Sequence, residues 1–118
     1  MKSDEDEKTP EELLEELLAE PNVTDNGDGT VTVLLTEPVT YAKHVYESIT
    51  LRKSRGKDWR EASPGKGEFD RTIRLAASVA GVPLRVFDEM DGEDAMLCAG
   101  IAGLLGKKSR TGRTSSET

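Results

Sequence analysis

The chain has 118 residues, 33% of them charged, with a formal net charge of −7 and only 4% aromatic residues. That length and composition suit one domain with a modest core and loose ends, rather than two domains. The mildly acidic body, about −3 over residues 21–106, argues against nonspecific binding to nucleic acid or an anionic membrane, which needs a basic face.

The charge is segregated. Residues 1–20 hold nine Asp/Glu against two Lys, whereas residues 107–118 hold four Lys/Arg against one Glu. A lone cysteine, Cys98, excludes an intrachain disulfide and fits a reducing cytoplasm. The start is acidic where a secretory signal is basic and then apolar. The longest uncharged apolar run, Ala95 to Leu105, is 11 residues, short of the roughly 20 that cross a bilayer.

Four segments follow in chain order: residues 1–8, a disordered acidic N-terminus; 9–21, an amphipathic helix; 22–106, an α+β domain; and 107–118, a disordered basic tail. Thr9-Pro10-Glu11-Glu12 reads as a helix start, with a capping Thr, Pro at the first position and Glu three residues after the cap. Leu13, Leu14, Leu17 and Leu18 form one stripe on this helix. A helix of two to three turns is marginal alone in water. The stripe must therefore dock on its own domain, self-associate with a second copy, or meet a partner.

Asn26-Gly27-Asp28-Gly29 marks a tight turn. Val31, Val33 and Leu35 then alternate with Thr32 and Thr36, the period of a half-buried strand, and Pro38 is expected to end it. Tyr41-Ala42-Lys43-His44 connects to a second strand, with Val45, Ile49 and Leu51 on one face and Tyr46, Ser48, Thr50 and Arg52 on the other. With a short strand at Asn22–Thr24, this makes a hairpin or three-stranded antiparallel sheet, which needs helices to cover it.

Lys57–Ala62 reads as a short helix and Ser63–Gly67 as a loop. In the next helix Phe69, Ile73, Ala76, Ala77 and Ala80 share a face, and Asp70 can pair with Arg74. Gly81 and Pro83 stop it. A short helix carries Leu84 and Phe87, and Asp91 caps the last, with Asp94 in its first turn favouring the helix dipole. The fold class is α+β, a small antiparallel sheet packed against three to four short helices.

Little in the sequence suits catalysis, a cofactor or a metal. His44 has no second His and no acid placed to orient it, and Cys98 lies in an apolar helix, where burial makes a thiol inert. The cluster Asp88, Glu89, Asp91, Glu93 and Asp94 lacks calcium-loop spacing. Asp25–Gly29 echoes the start of such a loop, but Thr36 stands where its bidentate Glu belongs. Ala76–Phe87 resembles a helix–turn–helix, the alternative reading of a small DNA-binding regulator. Its second helix offers only Arg85 toward phosphates, followed by Asp88 and Glu89.

The order of parts resembles a known family. A Val/Leu strand (Val31–Leu35) precedes Pro38; Val45–Arg52 reads Val-Tyr-Glu-Ser-Ile-Thr-Leu-Arg; and Gly56–Trp59 reads Gly-Lys-Asp-Trp. Asp58 follows Arg52 by six residues, and Ala80-Gly81-Val82-Pro83 is followed by Asp91-x-x-Asp94 and a small-residue helix ending Gly-Leu-Leu-Gly. Over Val31 to Gly106 this is similar to the phage tail assembly proteins of Mu-like and P2-like tailed phages, also called tail assembly chaperones. The resemblance implies a non-enzymatic role without cofactor: binding the tape measure protein and keeping it soluble before the tail tube polymerises. It also implies the tail tube protein as a second partner, and absence from the finished tail. A structural tail protein is the other alternative.

A chaperone for an amphipathic helix needs an apolar helix surface on a soluble body. The candidate partner-binding residues are Met96, Leu97, Ala99, Ile101, Gly103, Leu104 and Leu105. Ala95, Ala99 and Gly103 recur every fourth residue and would admit a second helix closely. The expectation is that one face of this helix closes the domain while its small-residue face receives a partner.

Overall fold

A computed structural model describes residues 9–117, with side chains over residues 9–105. The expected acidic segment 1–8 and the side chains of the expected basic tail 107–118 lie outside that description. The elements are α1 (Pro10–Leu18), β1 (Val23–Asp25), β2 (Val31–Tyr41), β3 (His44–Leu51), α2 (Gly56–Ala62), α3 (Glu68–Ala80), α4 (Leu84–Asp88) and α5 (Gly92–Glu117). Among the described residues, three antiparallel strands in the order β1-β2-β3 and five helices make a small α+β fold.

α1 begins as its sequence dictates. The Glu12 amide donates to Thr9 Oγ1 and the Thr9 amide to Glu12 Oε1, both at 3.1 Å, so two end donors are satisfied reciprocally. The helix docks on its own domain, along α5 and against β1. Leu14 is buried, Leu17 and Leu18 are half-buried and Leu13 is exposed, so burial of this stripe supplies what the short helix lacks alone.

The turn between β1 and β2 uses its acids internally. Asp25 Oδ1 accepts from the Gly27 amide, and Asp28 Oδ1 accepts from the amide and hydroxyl of Thr30. Gly27 and Gly29 stand at φ +82° and +93°, where a side chain would be strained.

Pro38 does not end the strand. β2 runs to Tyr41 through an irregularity: Leu34 faces Ser48 and Val39 faces Tyr46, leaving four residues of β2 opposite Glu47 alone. Proline lacks an N–H, so a bulge is where a strand accommodates it. The three surplus residues have a second consequence. Because three is odd, the two strands fall out of step: β2 keeps Val31, Val33, Leu35 and Val39 inward, so on β3 the inward position beyond the bulge passes to Tyr46. Val45, expected inward with Ile49 and Leu51, is 59% exposed, while Val39 is buried and Tyr46 half-buried. Uninterrupted alternation predicts the wrong face here. The hairpin then closes through Ala42 and Lys43, at φ 52° and 68°.

Helices α3 and α5 cover the inner face of the sheet, with α4 against β2 and α2 against α3. The core joins Val31, Val33, Ile49 and Leu51 of the sheet to Leu75 of α3, Val86 of α4 and Ile101 of α5. Gly81, at φ 70°, ends α3 in the left-handed conformation, and the Val82 amide returns to the Ala77 carbonyl. Phe69 departs from its expected place on the inward face of α3 and is 61% exposed, because the first turn of that helix overhangs the core.

Candidate partner-binding groove

Two polar anchors hold the helices in position. The Asp58 carboxylate is fully buried at the start of α2. It accepts from Arg52 Nη1 at 2.9 Å and Nη2 at 3.1 Å, from the Arg55 amide at 2.7 Å and from Ser78 Oγ of α3 at 2.6 Å. Arg52 above all, opposed by burial and helped by the Ser78 hydroxyl and the Arg55 amide, holds this carboxyl well below the usual carboxylate range. One side chain thus ties the end of β3, the cap of α2 and the last turn of α3 together.

The second anchor is Asp94. Asp91 caps α5, its Oδ2 accepting from the Glu93 amide at 3.1 Å and the Asp94 amide at 3.4 Å. Asp94 turns inward, buried, and its Oδ2 accepts from both the amide and the hydroxyl of Thr36 at 2.9 Å. Thr36 lies in the irregular stretch of β2, whose amide there lacks a regular ladder partner. The carboxylate expected only to complement the helix dipole therefore also fixes the bulge to the first turn of α5.

With α5 so placed, its apolar residues divide among several neighbours. Cys98, Ile101, Ala102 and Leu105 are buried in the core. Burial, with the Asp94 charge adding to it, pushes the Cys98 thiol up to about 12. A Cβ built on Gly100 would stand 3.0 Å from Leu17 Cδ1 of α1, and one on Gly103 would stand 3.9 Å from Thr72 Cγ2 of α3. The small residues do admit helices, but the helices they admit belong to this chain.

The candidate surface is accordingly narrower than the sequence suggests. Ala99, Ile101 and Leu105 are buried, and Leu97, Gly103 and Leu104 are half-buried against neighbouring elements; only Met96, at 63%, is broadly exposed. Met96 does not stand alone. Together with Glu68, Phe69, Thr72, Ala99 and Gly100 it lines an open, mostly apolar groove of about 420 Å³ between α3 and α5. Phe69 and Met96 are the two most exposed large apolar side chains of the described residues.

Sequence reading missed Glu68, Phe69, Thr72 and Gly100 as groove residues. The available signal was Phe69 between Glu68 and Asp70, an aromatic amid charges in the first turn of a helix. The helix–turn–helix reading loses its second helix: α4 has five residues and buries Val86 and Phe87, leaving no length to lie along a DNA groove. Among the described residues no three His, Cys, Asp or Glu side chains converge as metal ligands, and no helix is long and apolar enough to cross a membrane.

The sequence model of a family described as phage tail assembly chaperone proteins, E, or 41 or 14, matches residues 32–105. The matched segment opens in β2, takes in both anchors and the groove, and leaves α1 outside. No curated protein and no solved structure matches the chain significantly.

Proposed function

The chain belongs to the phage tail assembly chaperone family, and from that premise we propose that it binds the tape measure protein through the groove between α3 and α5. In this reading it keeps that long helical protein soluble in the host cytoplasm until the tail tube polymerises around it. The role is non-enzymatic. The observation that carries the reading is the pairing of Phe69 and Met96, each more than 60% exposed, over a floor of Ala99 and Gly100. Large apolar side chains left open beside a small-residue floor suit the apolar stripe of an amphipathic helix. The acidic remainder of the surface keeps such a complex soluble.

Co-expression with the tape measure protein of the same phage tests this. The wild-type chain should raise the soluble fraction of that protein, and Phe69→Asp/Met96→Asp should abolish the gain. Equal insolubility with and without the wild-type chain would sink the proposal. Mass spectrometry of purified virions separates this reading from a structural tail protein, since a chaperone is lost before maturation.

A further inference from the structure

The acids around the groove say more about its occupant than the apolar floor does. Glu68 lines the groove from α3. Glu93, exposed, lies three residues before Met96 and so on the same side of α5, one turn nearer its start. Arg71 of α3 is turned to the loop, where Nη1 donates to the Gly65 carbonyl at 3.3 Å. Carboxylates from two helices, Glu68 of α3 and Glu93 of α5, thus stand beside the apolar floor.

Resting on the reading of this groove as the chaperone's binding site, we propose that it takes a partner protein's amphipathic helix whose apolar stripe is flanked by Lys and Arg. The floor supplies contact area, and the carboxylate border selects the flanks and sets the helix in place. An acidic-flanked helix of equal hydrophobicity is repelled from the same site. The chain's own basic segment is not the occupant: residues 107–118 carry Lys107, Lys108, Arg110 and Arg113 but no apolar side chain to fill the floor.

Two synthetic, fluorescently labelled peptides of about 21 residues, long enough to hold a helix, test this against the full-length protein. They share one Leu/Ala stripe and differ only in Lys or Glu flanks. The Lys-flanked peptide should bind about tenfold tighter or better, and the advantage should shrink severalfold as salt rises from about 0.05 to about 0.5 M. Glu68→Lys/Glu93→Lys should remove the preference, and Phe69→Asp/Met96→Asp should remove binding; all four side chains are exposed, so circular dichroism should show both variants folded.

Equal binding of the two peptides, lost in the Phe69/Met96 variant, overturns the charge assignment while leaving the groove as the chaperone site. Tight binding of the Lys peptide that survives Phe69→Asp/Met96→Asp overturns the proposal differently, by assigning capture to acidic residues elsewhere. Binding of neither peptide overturns it as well, whereas the solubility of the tape measure protein on co-expression still reads the chaperone role independently.

Discussion

Arg52 and Asp58 face each other with two parallel hydrogen bonds, Nη1 to Oδ2 at 2.9 Å and Nη2 to Oδ1 at 3.1 Å, and the carboxylate end is fully buried while the guanidinium reaches solvent. The pair is therefore asymmetric. Removing the carboxylate leaves a guanidinium that water can solvate; removing the guanidinium leaves a buried charge with only Ser78 and the Arg55 amide. Arg52→Ala should cost about 3 kcal/mol or more, read by urea denaturation, and more than Asp58→Ala costs. Equal losses from the two variants would contradict the asymmetry.

The same pair sets an acid limit. Asp58 has its folded value depressed from an ordinary one of 3.8, so its contribution is complete above that value and is lost as pH falls below it. Wild-type stability should therefore fall steeply below about pH 4, with a shallower slope in Asp58→Asn. Denaturation midpoints across that range measure both slopes.

Asp94 and Thr36 predict a graded series. Asp94→Ala removes the acceptor of both the Thr36 amide and hydroxyl, which water can reach because Thr36 is exposed, and should cost about 1–2 kcal/mol, whereas Thr36→Val removes one bond and should cost about 0.5–1 kcal/mol. Hydrogen exchange at the Thr36 amide should accelerate in Asp94→Ala and stay slow in Thr36→Val.

These two anchors show where sequence reading stops. Local signals carried well: the Thr9–Glu12 capping box, the Gly27/Gly29 turn and the Gly81 stop each depend on residues within a few positions, and each forms as expected. Asp58 stands with Arg52 in the family resemblance, yet spacing alone does not reveal its bond to Ser78, 20 positions on. Asp94 reaches across 58 positions, and a helix-start acid already has a local explanation, so nothing local marks the longer reach. The groove was half legible. The uncharged helix points to α5, but α1 and α3 claim most of its surface, and the exposed Phe69 reads as core because its periodicity matches Ile73 and Ala76.

The hairpin tip is open to improvement. Ala42 and Lys43 both hold positive φ, as a two-residue turn of this hand requires, though each costs roughly 1 kcal/mol in an ordinary L-residue. Replacing the pair by Asn-Gly should raise stability by about 1 kcal/mol, seen as a higher melting temperature with groove binding unchanged. Val45 and Thr40 beside the turn are exposed, so no core contact changes.

Gly100 and Leu17 make the closest approach between α1 and α5, and their volumes should trade. Gly100→Ala sets a methyl against the mobile end of Leu17, so gained helix propensity of about 1 kcal/mol offsets the crowding and the net change should be small. Gly100→Leu cannot be absorbed that way: α1 should lift, and limited proteolysis should cut near residues 9–21 faster. Adding Leu17→Ala should restore much of the protection, since the pair then holds about the original volume. If Gly100→Leu alone leaves α1 as resistant as wild type, the approach is looser than 3.0 Å implies and α1 is held chiefly by Leu14 in the core.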